Sequence, residues 1–482
     1  MKLSWWKQEL PKVHVCALSR KQNKLMIPRR LLLSILCVTA AAVGVMLTPD
    51  SGRAQLMAPT GRAGPARTLV LPASSVVRPE DAGLRAHTNI LLSVPPAGVV
   101  DLPPSRGAVR AIPPLSGTLI ETPASLACIY RLVSGTPGCN PNTVTTNPAG
   151  GSHAIAIVDA FHYPAAANDL AAFDTQFGVA PPPSFAVIYG SSASCVPGGT
   201  APRDGSGTGW DLEAALDIQW AHAMAPSATL YLVEANSTSY ADMFAAVQVA
   251  ALCVQGAGGG FVSMSWAGSE FAGETAFDSL MTASGVVYVA AAGDVPGVSY
   301  PSASPNVVSV GGTSISRFAL SATGPFEGES AWTLTGGGLS AYESRPPFQD
   351  GIAYVIGNHR ATPDVAYTAD PQSPVWVYNT TCHNTMQCPF NGPWFAAGGT
   401  SLATPLFAGV ANALGVFVAS SQALNQALYS IGLSMSYQST FNDINSGSCG
   451  GLYNPFLVNW FESVTGIGWD PCTGWGSLHG SH

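Results

Sequence analysis

The sequence predicts an α/β protein whose mainly parallel sheet is covered by helices on both faces. From Ala154 onward, short and continuously apolar segments alternate with amphipathic ones, and a strand buried on both faces is apolar throughout. The apolar segments are residues 154–158, 185–189, 229–233, 261–266, 286–291 and 307–310, and the amphipathic segments are 165–177, 240–251 and 274–283. With 482 residues, the chain is long enough for one large domain of this kind with smaller appendages.

Residues 1–54 have the pattern of a secretory signal peptide. They hold nine of the 20 Lys and Arg residues, a run of 17 apolar or small residues at 31–47, and a small-residue site that ends at Ala54. A membrane helix needs about 20 apolar residues, so we expect a cleaved signal rather than an uncleaved anchor. Because the basic region is long, Met26 is an alternative start. We therefore expect a secreted protein, extracellular or periplasmic, without stable membrane association after cleavage.

The other 428 residues are acidic and contain no lysine. They hold 11 Arg against 26 Asp and Glu, which gives a formal net charge of −15. A nucleic-acid partner favours a basic surface that displaces counterions from phosphates, so we expect no nucleic acid among the partners. The acidic composition suits a protein that stays folded where its carboxyl groups are partly protonated. We expect it to be a monomer.

Residues 55–121 differ in composition from the rest of the chain. They contain ten prolines and little sustained periodicity, and they include one core-forming stretch at residues 88–94. Such a composition is typical of irregular segments. We therefore interpret 55–121 as a short, weakly folded pro-region or linker, which precedes a single large domain at residues 122–482.

Eight cysteines lie outside the leader, and an even number is expected of disulfide-bonded cysteines in a secreted protein. Eight cysteines allow many connectivities. Close spacing in the sequence favours three pairs, which are Cys128–Cys139, Cys382–Cys388 and Cys449–Cys472. Each of these pairs closes a loop.

A candidate nucleophile is Ser401, which follows Gly399 and Thr400 and begins an apolar helical segment that extends to Gly409. At such a turn the serine hydroxyl is accessible, and its own N–H group points toward the place where an oxyanion would form. Taken alone, the same pattern also describes a simple helix N-cap.

The histidines do not lie in a motif that would supply a base for this serine, which makes a carboxylate the candidate base. Residues 211–225 predict a helix in which Glu213 and Asp217 lie four positions apart on one face. At about 5 Å and an effective dielectric of about 20, their repulsion is about 3 kcal/mol, which raises one pKa by about 2 units. The pair would then share a proton. The alternative interpretation is a solvated helix face.

A third candidate is Asp294, which follows the apolar strand at residues 286–291 and a glycine, Gly293. A carboxyl group at the end of a buried strand can remain protonated and donate a hydrogen bond to a developing oxyanion. An aspartate that caps a turn explains the pattern equally well.

From about residue 121 to residue 477, the chain resembles the sedolisins, the kumamolisin-like serine-carboxyl peptidases, which share the subtilisin-like fold. The resemblance rests on five motifs in the family's order, at residues 213–217, 263–268, 292–294 with 300–305, 360–366, and 399–401. It implies that Ser401 is the nucleophile, Glu213 its general base, Asp217 the carboxyl that orients Glu213, and Asp294 the oxyanion donor.

The resemblance implies a secreted hydrolase, a serine-type endopeptidase that cleaves protein or peptide substrates at acidic pH through an acyl-enzyme on the serine. The substrate backbone is then expected to pair with an edge strand, a known mode of peptide recognition. Its residues are Ser265, Trp266, Ala267 and Gly268.

The resemblance also implies one structural Ca²⁺ ion in a C-terminal loop. Calcium takes six to eight oxygen ligands. Asp443 and Asp470 would supply carboxylates, and Ile444, Gly466 and Gly468 would supply backbone carbonyls. An alternative interpretation is a pair of turns capped by the two aspartates.

Three alternatives remain open at this point. The chain is a tripeptidyl peptidase rather than an endopeptidase, a catalytically silent, calcium-stabilised secreted binding protein on a peptidase scaffold, or a peptidase with a Ser-His-Asp triad that uses Ser401 and Asp159. Without a partner histidine, we expect Asp159 to be structural. The segment before residue 122 is also shorter than the folded pro-segment of the family, which leaves self-activation open.

Overall fold

The computed structural model describes residues 55–57, 67–95, 120–134, 138–141, 143–192, 194–317, 325–382, 388–390, 392–452 and 461–481. The predicted signal peptide and the alternative start lie outside the described residues. In the part of the chain that is described, no helix is both long and apolar enough to span a membrane.

The strands are β1 (Gln55–Met57), β2 (Thr68–Leu71), β3 (His87–Thr88), β4 (Leu91–Val94), β5 (Ala154–Ala160), β6 (Phe185–Tyr189), β7 (Thr229–Ala235), β8 (Gly260–Met264), β9 (Trp266–Ser269), β10 (Val286–Ala291), β11 (Ser299–Tyr300), β12 (Val308–Arg317), β13 (Phe326–Ala331), β14 (Gly338–Ser344), β15 (His359–Thr362), β16 (Val365–Thr368), β17 (Val375–Tyr378), β18 (Trp394–Gly398), β19 (Phe441–Asn442), β20 (Ser448–Leu452), β21 (Phe461–Val464) and β22 (Ser477–Leu478).

The α-helices are α1 (Pro123–Ile129), α2 (Ala166–Phe177), α3 (Trp210–Met224), α4 (Tyr240–Gly256), α5 (Ala353–Ile356), α6 (Thr400–Ala413), α7 (Ser421–Gly432) and α8 (Tyr437–Thr440). Shorter 3-10 helices are Ala73–Ser75, Pro79–Asp81, Glu274–Leu280 and Pro347–Ile352.

The central sheet has the strand order β13-β12-β10-β8-β5-β7-β6, and β16 also pairs with β12. All of its pairings are parallel except that of β13 with β12. Each predicted apolar segment contributes a strand to this sheet, which confirms the predicted α/β class. The segments are apolar throughout because both faces of the sheet are covered.

Successive side chains of β5 enter different cores on the two faces of the sheet. Ile155 and Ile157 pack in the core that contains α2, α3 and α6, whereas Ala156 and Val158 pack in the core that contains α4. Every residue of α3 is buried. The helix that carries the predicted base therefore runs through the interior, and a solvated face for Glu213 and Asp217 is excluded.

Two predicted elements differ from the structure. The apolar segment 261–266 is divided between β8 and β9, which separate at Ser265. The segment 274–283 forms a short 3-10 helix, Glu274–Leu280, rather than an α-helix. Both departures occur near β9, where the chain leaves the central sheet and enters a three-stranded sheet in which β9 is the middle strand.

The expectation of little regular structure in 55–121 is wrong for residues 67–95. In a second, antiparallel sheet, β4 pairs with β2 on one side and with β18 on the other. Ile90, Leu91 and Leu92 are buried in the main core. These strands are too short to show a periodic pattern in the sequence, and their partner β18 lies about 300 residues away. Residues 96–119 lie outside the described part, and a pro-region role stays a prediction.

The three disulfides favoured by spacing are present, together with a fourth between Cys195 and Cys253. The fourth pair joins the segment after β6 to helix α4 and closes a loop of 58 residues. Short spacing could not identify a pair that is so far apart in the sequence.

Candidate active site

Strand β18 leads directly into helix α6, and the turn between them positions Ser401. Gly399 has φ of 113°, a conformation that favours glycine. A β-carbon on Gly399 would contact the backbone oxygen of Asn89 and would lie 2.6 Å from Asp294 Oδ2. The glycine therefore leaves space for two oxygen atoms beside the first turn of α6. Ser401 lies in that turn, where backbone N–H groups are not used by the helix itself.

The hydrogen bonds of Ser401 connect it to two other segments. Its hydroxyl donates to the backbone oxygen of Ser265 at 3.0 Å and accepts from the backbone N–H of Asn89 at 3.1 Å. Its own N–H donates to the backbone oxygen of Asn89 at 3.2 Å. Asn89 was not predicted as a site residue. It lies in the region 55–121, to which we assigned no part in the site.

Helix α3 packs against α6 and brings Glu213 and Asp217 to the site. Both side chains are fully buried, and none of their four carboxyl oxygens has a hydrogen-bond partner among the described residues. Burial raises the pKa of Glu213 well above its ordinary value, and the charges of Asp217 and Asp159 raise it further. The Ser401 hydroxyl opposes this rise in the pKa of Glu213. The predicted base and nucleophile are therefore neighbours.

Asp294 follows β10 and bonds to Thr400, the residue before Ser401. Its Oδ1 accepts hydrogen bonds from the Thr400 N–H at 2.7 Å and the Thr400 hydroxyl at 2.8 Å. Its Oδ2 is shielded from solvent and has no partner among the described residues. Burial raises the pKa of Asp294 to about 7, although the bonds from Thr400 lower it. Below that pH, the protonated Oδ2 can donate a hydrogen bond. Thr400 is a positioning residue that sequence analysis did not identify.

A third buried carboxyl group lies next to the predicted pair. Asp159, in β5, is fully buried, and neither carboxyl oxygen has a partner in the described structure. Burial makes the largest contribution to raising the pKa of Asp159, and the charge of Glu234 on the adjacent strand raises it further. The charge of Asp159 in turn raises the pKa of both Glu213 and Asp217. Its effect on the electrostatics of the site could not be predicted without knowing that β5 ends beside α3.

The predicted substrate strand is β9, which pairs with β11 on one side and with β3 on the other, both antiparallel. Trp266 and Ala267 are buried, and a β-carbon on Gly268 would contact the Tyr240 hydroxyl. Ser265 lies just before the strand, and its backbone oxygen accepts from Ser401. The four predicted residues therefore lie in or next to a middle strand and not in the free edge strand that was expected, because β11 and β3 occupy its two edges.

Residues 85–94, which we name the cleft segment, lie in a cleft that has β9 on one side. His87 and Thr88 pair with Ala267 and Trp266. On the opposite side, Ala86 N–H donates to the backbone oxygen of Thr238 at 2.8 Å. Beyond Asn89 the segment continues as β4, in which Leu91 is paired with Gly398 of β18. The segment thus passes Ser401 and continues in both directions.

The C-terminal loop brings the predicted calcium ligands together. The Gly468 N–H donates to Asp443 Oδ1 at 3.1 Å, and the Gly466 N–H donates to Asp470 Oδ2 at 3.4 Å. Burial raises the pKa of Asp470 to about 6, against the lowering effect of four hydrogen bonds from neighbouring groups. Ile444 is buried beside Asp443. Two carboxylates with adjacent backbone carbonyls fit a hard cation, although no group of three or more His, Cys, Asp or Glu is found among the described residues.

The histidines in the described part of the chain have partners other than the serine. His162 contacts Glu234 at 2.7 Å, His222 contacts Asp174 at 3.3 Å, and His87 contacts its neighbour Thr88. His153, His359 and His479 contact Ser152, Ser340 and Gly480. This arrangement does not support a Ser-His-Asp triad with Asp159.

Comparisons with known proteins agree with this geometry. The model of the subtilase family matches residues 199–416. Sedolisin of Pseudomonas sp. (strain 101) is 34% identical over 196 residues, which cover 39% of this chain and 30% of that protein. Kumamolisin of Bacillus sp. (strain MN-32) is 29% identical over 340 residues, which cover 64% of this chain and 55% of that protein. The chain thus spans about a third to a half of the length of these curated relatives.

A solved structure shows the same fold. Pseudomonas sedolisin, a serine-carboxyl proteinase in complex with two molecules of pseudo-iodotyrostatin, superposes with a TM-score of 0.56 at 22% identity. The match covers 75% of this chain and 96% of that chain. The chain therefore has the fold of Pseudomonas sedolisin, and its candidate site combines a serine with buried carboxyl groups. Its sequence is similar to the subtilase family over residues 199–416 and to sedolisin and kumamolisin over the stretches given above.

Proposed function

We propose that the protein is a secreted serine-carboxyl endopeptidase that hydrolyses peptide bonds at acidic pH. The observation that carries the proposal is the position of Ser401 between two kinds of carboxyl group. One is Glu213, which is buried and whose oxygens have no partner among the described residues, and the other is Asp294, which bonds to Thr400 and has a pKa of about 7. A nucleophile needs a base, and its oxyanion needs a donor. The secretion part of the proposal rests on the leader at residues 1–54.

The reaction follows from these positions. The Ser401 hydroxyl turns its proton from the Ser265 oxygen to an oxygen of Glu213 and attacks the peptide carbonyl. The Ser401 N–H and the protonated Asp294 donate to the oxyanion. Glu213 then passes the proton to the leaving amine, and the acyl-enzyme is hydrolysed by water with Glu213 again as base. Asp217 lies four residues further along α3 and acts as a positioning residue. It shares a proton and a negative charge with Glu213.

Two groups with opposite requirements produce the acidic optimum. Glu213 must be ionised to accept the serine proton, whereas Asp294 must be protonated to donate to the oxyanion. Because burial raises the pKa of Asp294 to about 7, the donor is lost as pH rises through that value. Glu213, Asp217 and Asp159 titrate as a coupled set, and the raised pKa of Glu213 sets the lower limit of the active range, because Glu213 must lose its proton to act as the base.

The cleft favours an endopeptidase over a tripeptidyl peptidase. A tripeptidyl peptidase has to close its cleft beyond the third residue before the cleaved bond. Here, the chain before Asn89 continues through Thr88, His87 and Ala86 to Arg85, which pairs with Ser239. The wall formed by β9 and residues 238–240 therefore accommodates at least five residues on that side.

The test compares wild-type enzyme with Ser401→Ala on an acid-denatured protein between pH 3 and pH 8. We expect activity that declines above about pH 7 and a loss on the order of 10⁶-fold in the variant. Mass spectrometry of the products distinguishes internal cleavage from the release of tripeptides. Equal activity in the two proteins would reject the serine mechanism. A correctly folded wild type that digests no substrate at any pH would favour the silent binding protein.

We also propose one structural Ca²⁺ ion, held by the carboxylates of Asp443 and Asp470 and by backbone carbonyls of Ile444, Gly466 and Gly468. The loop supports this because Asp470 accepts from the Gly466 N–H and Asp443 accepts from the Gly468 N–H, which brings both carboxylates to one short segment. We expect a chelator to lower the melting temperature by several degrees. Free Ca²⁺ at 100 times its dissociation constant should add about 2.7 kcal/mol to the free energy of unfolding. Asp470→Asn should abolish this response. A melting temperature that does not change with chelator would remove the metal from the proposal.

A further inference from the structure

Asp159 has a second carboxyl group beside it, on the strand next to its own. Asp159 of β5 and Glu234 of β7 are paired residues of adjacent parallel strands, and such strands lie about 4.8 Å apart. Both side chains are on the face that α3 covers, because Ile157 and Leu232, two residues earlier in each strand, lie in the core on that face. Asp159 is 1% exposed and Glu234 is 0% exposed. Two carboxyl groups this close and this deeply buried repel each other when both are ionised.

Hydrogen bonding decides which of the two carries the charge. Glu234 has a partner on each oxygen: the Tyr163 N–H donates to Oε1 at 2.8 Å, and His162 Nδ1 lies 2.7 Å from Oε2. Neither oxygen of Asp159 has a partner among the described residues. Hydrogen bonds donated to a carboxylate favour its ionised form. The negative charge of the pair therefore belongs to Glu234, and the proton belongs to Asp159.

The causes of the two pKa shifts agree with this assignment. Burial raises the pKa of Glu234, but the bonds from Tyr163 and His162 and the charge of His162 all lower it. Burial also raises the pKa of Asp159, and the charge of Glu234 adds to that rise. The His162 side chain is 23% exposed. It can therefore exchange a proton with solvent while it contacts a carboxylate that cannot.

The other titratable groups around the pair have partners of their own. Strand β6 places Tyr189 beside Glu234, with its ring edge-on to that of His162. The carboxyl groups of the surrounding loops and helices accept hydrogen bonds from neighbours, namely Asp169 from Tyr163, Asp204 from Ser206, Asp211 from Gly207 and Gly209, and Asp242 from Ser237. On α3, in contrast, Glu213 and Asp217 have four carboxyl oxygens without a partner in the described structure.

Asp159 connects the two groups of carboxyls. Burial and the charge of Asp217 are the largest causes of the raised pKa of Glu213, and the charge of Asp159 comes next. A protonated Asp159 exerts no such charge, and its hydroxyl can donate to an oxygen of the α3 pair. An ionised Asp159 would instead make it harder for Glu213 to lose its proton.

We infer that Glu234 is a positioning residue for the reaction: held ionised by His162 and the Tyr163 N–H, it keeps the proton on Asp159 and leaves the negative charge of the active site to Glu213. This inference rests on the proposed peptidase function and concerns the regulation of its pH range. Glu234 does not touch the substrate or Ser401. It acts through Asp159 and extends activity toward lower pH.

The experiment measures kcat/KM on an acid-denatured protein between pH 2.5 and pH 8 for the wild type and Glu234→Gln. The glutamine oxygen can still accept from Tyr163 and its amide can donate to His162, but the charge is gone. Asp159 then ionises more easily and raises the pKa of Glu213. We expect the midpoint of the acid side of the profile to move up by about one pH unit. The decline near pH 7, which Asp294 governs, should stay in place.

Two comparisons show whether the effect passes through Asp159. Asp174→Asn is the matched control, because Asp174 is a buried carboxyl group 3.3 Å from His222 whose charge is not among those that act on Glu213. It should leave the acid midpoint unchanged. In the Asp159→Asn background, position 159 cannot ionise. Adding Glu234→Gln to that background should therefore cause no further shift of the midpoint.

The outcomes separate this inference from the proposed function. An acid midpoint that is the same in Glu234→Gln and the wild type, or an equal shift in Asp174→Asn, would overturn the inference and leave the peptidase standing. A shift that persists in the Asp159→Asn background would contradict the path through Asp159. No hydrolysis by the folded wild type at any pH would overturn the function and the inference together. If Glu234→Gln does not fold, His162→Gln is the second variant, since it removes the positive charge beside Glu234. Its acid midpoint should move in the same direction by a smaller amount, and an unmoved midpoint would contradict the inference.

Discussion

Two buried carboxyl clusters in this molecule share their physical origin but differ in their surroundings. The active-site cluster consists of Asp159, Glu213 and Asp217. The remote cluster consists of Glu270, Glu274 and Glu343. In both, burial is the largest cause of a raised pKa, and neighbouring negative charges add to it. In the remote cluster the pKa of Glu274 rises to about 9 and that of Glu343 to about 8.

The difference lies in hydrogen bonding. Glu270 accepts from the Ser340 hydroxyl and from the Ala341 N–H, and Glu274 accepts from the Phe271 N–H at 2.8 Å. In the active-site cluster, all six carboxyl oxygens lack a partner among the described residues. A buried polar atom without a partner costs stability. A raised pKa thus accompanies both clusters, and unpartnered oxygens also occur in the remote one, at Glu274 Oε1 and Glu343 Oε1. What distinguishes the active-site cluster is that all of its oxygens are unpartnered and that Ser401 lies beside it.

The largest effect is expected when the two clusters are compared by mutation. Glu213→Gln removes the base and should lower kcat/KM on the order of 10⁴-fold, whereas the matched Glu274→Gln should change it by less than about 3-fold. The measurement is hydrolysis of denatured protein at pH 4 to 6, with circular dichroism to verify folding. Similar losses of kcat/KM in both variants would mean that both substitutions act through stability and that Glu213 has no specific role in catalysis.

A smaller effect is expected at Asp294, which stands apart from both clusters. Asp294→Ala removes an oxyanion donor and should cost about 10²- to 10³-fold in kcat. Asp294→Asn keeps a donor at every pH, with its Oδ1 still available to Thr400. Because the pKa of Asp294 is about 7, the wild-type rate falls through that pH, and the Asn variant should remain active above it. If the activity of Asp294→Asn fell above pH 7 as it does in the wild type, this result would contradict the donor role of Asp294.

The contrast between clusters also shows what the sequence could predict. Ser401, Glu213 and Asp294 were proposed from local patterns that follow from a buried strand or helix, and the structure brings them together. Asn89 and Asp159 act through positions set by pairing between distant segments, namely β4 with β18 and β5 beside α3. No local pattern carries such information. The family resemblance located the motifs, but it does not tell which residues of the cleft segment pair with β9 and β18.

The same limit applies to the second sheet and the fourth disulfide. Strands β2 and β4 have four residues each, which is too short for alternation to stand out among prolines. The pair Cys195–Cys253 spans 58 residues. In contrast, six strands of the central sheet were predicted, because a strand covered on both faces is apolar along its length. Strands β13 and β16 were not predicted, and β13 is a largely polar, partly exposed edge strand.

The smallest effect concerns stability and tests whether the remote cluster is structural. Glu274 and Glu343 have folded-state pKa values of about 9 and 8, above the ordinary value of 4.5. The folded chain therefore binds more protons than the unfolded chain between about pH 4.5 and those values, and the free energy of unfolding falls as pH rises through that range. Each such group contributes a slope of up to about 1.4 kcal/mol per pH unit.

Glu274→Gln, which stays neutral, should flatten the pH dependence of the free energy of unfolding, measured by urea unfolding from pH 4 to pH 9, while its activity remains near that of the wild type. Glu213→Gln should flatten the dependence as well but lose activity, so only the combination of both readouts separates the two clusters. A slope that is the same in Glu274→Gln and in the wild type would show that Glu274 is ionised in the folded protein.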